Sequence, residues 1–313
     1  MIGGQSHPTW TIAELDPVQI ARALAGQGLW LDLGAVALRV RCDVPDLAQQ
    51  LQAAYRFHPF VRQAPWADLH IDLARPSGIR RWVRRQVVLR CDGEQPFEPF
   101  PAGSALPLLE WGGNWLIARR MHDLLLLHAG VVEKDGRALL LPALPGSGKS
   151  TLTAALSLRG WRLLSDEFGA FDPADRVFRA MLKPVALKNA SIPLMRQFAP
   201  DACFGPEFPK TRKGTVAHLA ASRQTVERRH EPALPGAIIL PQWRAGSRTA
   251  LEPVAPQSVF GALAFNAFNY KALGAVGFDA VVHLARSCPA WQIIYSDLDD
   301  AIATIDDIWR QLP

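Results

Sequence analysis

The chain has 313 residues and a mass of 34.4 kDa, room for about two domains of ordinary size. Hydrophobic residues make up 49% of it and charged residues 20%, which excludes disorder as the main state. Lys and Arg number 34 against 29 Asp and Glu, a balance of +5 that is too small and too mixed with acids to argue for a nucleic-acid partner.

In chain order, the spacing of apolar residues predicts a helix over 17–25 closed by Gly26, strands within 29–41 and 69–73, and a helix over 44–57. Arg80, Arg81, Arg84 and Arg85 around Trp82 and Val83 would form a basic face if helical, able to dock an acidic peptide or simply to be solvated. A Pro-rich stretch, 96–101, marks a join, because it can neither continue a helix nor sit in a central strand. Beyond it, 124–132 and 137–141 flank Asp135-Gly136 and read as a hairpin. A Gly-rich loop follows, then a helix over 149–158 stopped by Gly160, and a buried strand over 161–165. A second hairpin is expected from 168–171 and 177–180, and later strands over 237–240 and 291–295. Helices are expected over 256–270, 276–287 and from Ser296 or Asp297 to about Gln311. The expectation is an α/β protein with a mixed sheet over 116–313 and a smaller α+β domain over 1–115.

Seven of the basic residues are Lys and 27 are Arg. An Arg excess suits phosphate or carboxylate partners, and coding bias accounts for it equally well. Cys42, Cys91, Cys203 and Cys288 show no paired spacing, and the eight His form no metal-binding pattern, so free thiols and no zinc site are expected. The chain opens without a basic stretch and apolar run, and its longest apolar runs fall far short of the ~18 residues of a membrane span. A cytoplasmic protein with neither membrane nor nucleic-acid partner is the expectation.

Residues 143–151 carry the clearest chemistry. Pro145, Gly146, Ser147, Gly148, Lys149, Ser150 and Thr151 fit the Walker A pattern, with Ala143 where its first Gly would stand. Glycines let successive N–H groups turn toward phosphate oxygens, and the helix that follows adds its positive end. Lys149 would reach the β- and γ-phosphates and Ser150 would hold Mg²⁺, so ATP and Mg²⁺ are the expected ligands. Asp166 and Glu167 follow an apolar strand, at the edge where ligands sit in α/β sheets. One carboxylate could hold the metal and the other could accept a proton from an attacking hydroxyl.

With His128 standing 21 residues before Lys149 and Arg159-Gly160-Trp161-Arg162-Leu163-Leu164-Ser165-Asp166-Glu167 after the loop, the stretch of about 120–200 resembles the C-terminal catalytic domain of HPr kinase/phosphorylase. The chain is most similar to the HPr-kinase-related proteins of the "kinase A" type. These share the runs at 145–152, 159–167, 187–192, 266–270 and 295–299. The resemblance implies a P-loop domain with the mixed sheet of the HPr kinase and phosphoenolpyruvate carboxykinase kind. It also implies catalytic roles: Asp166 takes a serine hydroxyl's proton, His128 pairs with Asp166, Lys149 holds phosphate, and Glu167 replaces a metal-linked aspartate. The family's Glu-Ile-Arg-Gly metal motif has no counterpart, and Leu187-Lys188-Asn189 stands near its place. HPr itself is therefore not the expected substrate.

The leading expectation is an ATP-dependent kinase acting on a Ser of a small protein or peptide, with residues 1–115 as a candidate docking surface and homo-oligomerisation left open. A small-molecule acceptor is the second reading. A nucleotide-gated binding module with little turnover is the third. The basic segment 210–214 could close over phosphates or be a solvated run.

Overall fold

The computed structural model describes residues 10–312. The first unit contains α1 (Pro17–Ala25), β1 (Leu29–Asp32), β2 (Ala37–Cys42), α2 (Asp46–Ala54), β3 (Leu69–Ala74), β4 (Gln86–Arg90), β5 (Phe100–Pro101) and α3 (Ala105–Arg120). Its five strands lie in chain order, with β2 and β3 parallel and the other pairs antiparallel. Asp16 begins α1 by accepting the Val18 N–H at 2.8 Å, with Pro17 in the first turn where a missing N–H costs nothing. The Gly26 N–H closes the helix on Arg22 and Ala23 carbonyls.

The stretch 29–41 holds two strands, because the chain reverses between Asp32 and Ala37. The four arginines at 80–85 form no helical face: only a 3-10 turn, Ile79–Arg81, breaks an exposed loop. Residues 115 and 116, where the sequence places the join, lie inside α3, which packs on β3 and β4. The Pro-rich stretch is not a linker between units, since Phe100 and Pro101 extend the first sheet.

The second unit contains β6 (Leu125–Lys134), β7 (Arg137–Pro142), α4 (Lys149–Ser157), β8 (Arg162–Ser165), β9 (Phe168–Asp172), β10 (Val177–Arg179) and β11 (Val185–Lys188). It continues with α5 (Ser191–Phe198), β12 (Phe208–Thr211), β13 (Gly214–Leu219), α6 (Arg223–Glu227), β14 (Leu234–Trp243), β15 (Ala250–Pro253), α7 (Pro256–Phe265), α8 (Tyr270–Leu273), α9 (Ala275–Ser287), β16 (Ala290–Tyr295) and α10 (Leu298–Gln311). The main sheet runs β10-β9-β6-β7-β14-β16-β15, with β8 also on β6. It is mixed: β14 is parallel to β7 and β16, and the remaining pairs are antiparallel. Asp135 and Gly136 both take positive φ, 55° and 77°, the conformation that a two-residue turn matched to strand twist requires.

Two differences from the sequence reading shape the site. The helix expected over 256–270 ends at Phe265. Residues 266–268 instead run beside β6, with Asn266 O accepting the His128 N–H at 2.6 Å and the Phe268 N–H donating to Leu126 O at 2.9 Å. Buried Asn269 fixes this exit: its Oδ1 accepts from Leu126 N at 3.0 Å and its Nδ2 donates to Leu124 O at 2.7 Å. The second difference is a three-stranded antiparallel sheet, β11-β13-β12, for which the sequence reading gave no strands and whose β12-β13 turn carries the basic segment 210–214.

The two units share packing and backbone bonds. Leu124, Leu126, Phe168, Met181 and Phe208 sit in the same apolar cluster as Leu31, Leu106 and Leu116. The Ala35 N–H donates to Ala180 O and the Leu182 N–H to Leu33 O, both at 2.8 Å. Deeper in the second unit, Arg162 pairs with Glu133, both buried, and its guanidinium also donates to the Arg228 and Glu231 carbonyls at 2.9 Å. Nε and Nη1 of that charge therefore meet a carboxylate and two carbonyls, which offsets the cost of burying it. Among the described residues, no helix is long and apolar enough to cross a membrane.

Candidate functional site

The Gly-rich loop joins the C-terminal end of β7 to α4, so Lys149 opens the helix that packs behind the sheet. Gly146 and Gly148 have φ of 89° and 88°, a region closed to most side chains. Gly148 has a second reason to be glycine: a Cβ there would lie 2.5 Å from the Tyr295 hydroxyl and 2.9 Å from Trp243 Cβ. Tyr295 and Trp243, at the ends of β16 and β14, clamp the loop. The Tyr295 hydroxyl donates to Gly148 O at 3.2 Å, and the Trp243 N–H donates to Ser147 O at 2.9 Å. Sequence reasoning missed both residues, because they lie roughly a hundred or more positions downstream and belong to no loop motif.

Strands β8 and β9 lie along one edge of β6, with Ser165 opposite Val131 and Phe168 opposite His128. Asp166 and Glu167 are the two residues of the break between them. The break turns their side chains out of the ladder beside the Gly-rich loop. The Ser165 hydroxyl holds the turn by accepting the Phe168 N–H at 3.0 Å. His128, on β6, faces the same place.

The structure brings these residues together in an arrangement different from the expected one. Asp166 pairs with Lys149: Nζ stands 3.2 Å from Oδ1 and also donates to the Asp166 carbonyl. Both side chains are buried. The expected pairing of His128 with Asp166 is corrected, since the carboxylate beside His128 is Glu167, with Nε2 to Oε1 3.9 Å. The reason is the strand break, which points successive residues in different directions and sends Asp166 toward α4 and Glu167 toward β6.

Burial pushes the His128 imidazole below its ordinary value, and the Lys149 charge adds to that; Glu167 and Asp166 pull the other way without reversing it. Burial alone would raise the Glu167 carboxyl. The Lys149, Lys213 and Lys183 charges, joined by His128 when it is protonated, outweigh it and hold Glu167 below the usual carboxylate range. The site therefore offers an ionised carboxylate beside a neutral imidazole at neutral pH. His128 also packs edge-on against Phe268, at 5.6 Å between ring centres.

A scan against protein-family models gives no match to this chain, and a search of curated proteins gives none either. The chemistry must therefore be argued from the residues. Ser150, at the start of α4, is half-exposed. Ser147 Oγ is buried and has no partner among the described residues, which is what a loop built to meet an added oxygen acceptor presents. Hydroxyl and carboxylate oxygens at Ser150 and Glu167 are the hard donors that Mg²⁺ prefers. Among the described residues, no group of three or more His, Cys, Asp or Glu side chains could hold a metal by itself. A metal here would thus depend on the oxygens of a second ligand, as Mg²⁺ commonly does with phosphates.

Proposed function

We propose that the protein is an ATP-dependent phosphotransferase that delivers the γ-phosphate to a hydroxyl. The observation that carries this reading is the convergence of Lys149, Asp166, Glu167 and His128 at one sheet edge. The Walker A pattern at 145–151 and the resemblance to HPr kinase/phosphorylase support it. On this reading the second unit is a P-loop kinase domain of that kind.

On this reading the nucleotide's phosphates lie against Pro145 to Thr151, at the positive start of α4. Lys149 exchanges its Asp166 partner for phosphate oxygens. Asp166 is then a carboxylate without its cation, placed to accept a proton. Ser150 and Glu167 would hold Mg²⁺, which when bound would neutralise charge at the phosphates. In the transfer, the acceptor O–H gives its proton to Asp166 as its oxygen bonds to the γ-phosphorus. The bond from that phosphorus to the β-γ bridging oxygen breaks, and ADP leaves. His128 stays neutral at physiological pH and steadies the Glu167 carboxylate across 3.9 Å.

The resemblance points to a Ser on a small protein or peptide as acceptor. A small-molecule acceptor is favoured by a different observation, a cleft lined in part by Asp166 and Glu167. A gated binding module is disfavoured by the backbone bonds between the units, since closing them as a hinge would break the links at Ala35 and Leu182.

The test is consumption of γ-³²P-labelled ATP with Mg²⁺, water serving as a slow acceptor. Lys149→Ala should lower the rate by roughly a hundredfold or more, because it removes a charge aimed at the transferring group. Unchanged turnover would overturn the proposal.

A further inference from the structure

Between α3 of the first unit and the three-stranded sheet of the second lies a cleft. Asp166 and Glu167 are among the residues that line it, and no residue of the Gly-rich loop does. Phe100 and Trp111 provide an aromatic wall, and Lys188 and Lys213 provide the charge. We propose that this cleft binds the phosphate acceptor, and that the acceptor is a small hydroxyl compound carrying a carboxylate or phosphate group. The inference rests on the phosphotransferase reading and specifies its substrate.

Three features of the cleft lead to that chemistry. Lys183, in its lining, is already neutralised, with Nζ 2.9 Å from Glu110 Oε2 and a second bond to Asn114. Glu110 in turn accepts the Tyr55 hydroxyl at 2.6 Å. Lys188 and Lys213, by contrast, make no ion pair among the described residues. The Lys213 ammonium instead stands 5.3 Å from the centre of the Trp111 ring. Lys213 is also held in place. Its hairpin turn is tied by Asn189, whose Oδ1 accepts the Thr215 N–H at 3.1 Å and whose amide fills the space a Cβ on Gly214 would need.

Burial lowers the Lys188 ammonium from its ordinary value, and the neighbouring Lys213 charge lowers it further. Glu167 and Asp166 act the other way on Lys188, and a further anion beside both lysines would relieve the remaining repulsion. The third feature is His218. It is buried, lines the cleft, and its Nδ1 has no partner among the described residues. A buried ring nitrogen left unbonded costs free energy that a ligand hydroxyl or carboxyl could recover.

The walls decide between a small acceptor and a protein. The cleft's lining includes the buried Lys183–Glu110 pair and two aromatic rings, a surface suited to a small ligand. A ligand whose acid lies between the two lysines and whose body lies on Trp111 would present a hydroxyl beside Asp166.

The test uses an anionic aldehyde as probe. Mg²⁺ and a non-hydrolysable ATP analogue first fill the nucleotide site. Pyridoxal phosphate or pyridoxal is then added. A lysine amine condenses with the aldehyde, releasing water, and borohydride delivers hydride to the imine to give a stable secondary amine. Mass spectrometry of peptides reports each lysine. At Lys188 and Lys213 the phosphate form should react roughly tenfold faster than pyridoxal, as expected for one added charge contact. Lys210, which does not line the cleft, should show little preference, and Lys213→Met should abolish most of the preference at Lys188. Glycerol 3-phosphate or glycerate should protect Lys188, the former identifying a phosphate and the latter a carboxylate, while glycerol should not.

Equal rates with the two aldehydes, a preference that survives Lys213→Met, or protection by none of the three competitors would overturn the proposal. The affinity for the ATP analogue is read in the same sample. Loss of nucleotide binding would sink the phosphotransferase reading, whereas intact binding without selective labelling would sink the cleft assignment alone.

Discussion

Asp166→Asn separates two roles that the structure gives one side chain. In the nucleotide-free protein, Asp166 neutralises buried Lys149, with side chains 7% and 8% exposed and Oδ1 3.2 Å from Nζ. Breaking a buried pair by removing one charge costs about 3–5 kcal/mol, because the other charge stays buried. The Asn amide oxygen and the residue's own carbonyl still accept from Nζ, which places the loss near 3 kcal/mol. For a chain of this size that lowers the melting temperature by roughly 6 °C. Nucleotide binding should move the other way. Lys149 no longer has to leave a carboxylate, so Mg-ATP should bind more tightly to the variant and recover much of the lost stability; wild-type protein gains about 2.7 kcal/mol at a ligand concentration a hundred times Kd. Phosphoryl transfer should nevertheless fall, because the proton acceptor is gone. The assay is thermal unfolding with and without Mg-ATP beside γ-³²P transfer. A variant as stable as wild type would refute the buried pair, and transfer at the wild-type rate would refute the role of Asp166 as base.

Gly148→Ala places a methyl group at φ 88° against the Tyr295 hydroxyl and Trp243; it should weaken nucleotide binding at least tenfold in a titration, a loss of about 1.4 kcal/mol or more. Arg162→Met leaves Glu133 buried without its main cation, and denaturant unfolding should show a loss of about 3–5 kcal/mol with little effect on nucleotide affinity. His58 is fully buried, and burial, reinforced by Arg229, lowers its imidazole from 6.5 to about 4. The unfolded chain then takes up a proton that the folded one refuses, so stability is intact above pH 6.5 and falls as pH drops toward 4. The loss approaches about 3 kcal/mol, and His58→Gln should flatten that part of a plot of melting temperature against pH.

Local chemistry was the legible part of this sequence. Asp135-Gly136 forces its own turn, Asp16 and Pro17 start a helix from within it, and the Gly-rich loop sits between strand and helix as its pattern requires. The acidic pair also emerges at a strand's end as expected. Whatever depends on distant partners was not legible. The α3 helix went unseen because Pro107 and the pair Gly112-Gly113 mask it and because it is apolar on nearly every side. The helix over 256–270 was drawn too long, since its exit depends on Asn269 bonding to residues nearly 150 positions earlier. The Asp166 and His128 pairing failed for a subtler reason. Spacing along the chain places both residues at one edge, but a break in a strand decides which of two adjacent carboxylates faces which neighbour. The cleft was out of reach altogether, because α3, β11 and the turn that carries Lys213 meet only in the folded chain.

The central claim is that the loop from Pro145 to Thr151 holds the phosphates of Mg-ATP through Lys149. Calorimetric titration of the purified protein with Mg²⁺ and a non-hydrolysable ATP analogue, repeated on Lys149→Ala, tests it most directly. The account predicts a single site per chain in the wild-type protein and an affinity lower by at least about a hundredfold in the variant, the loss expected when a charge in direct contact with phosphate is removed. An equal affinity in the two proteins, or no binding to the wild type, would contradict it.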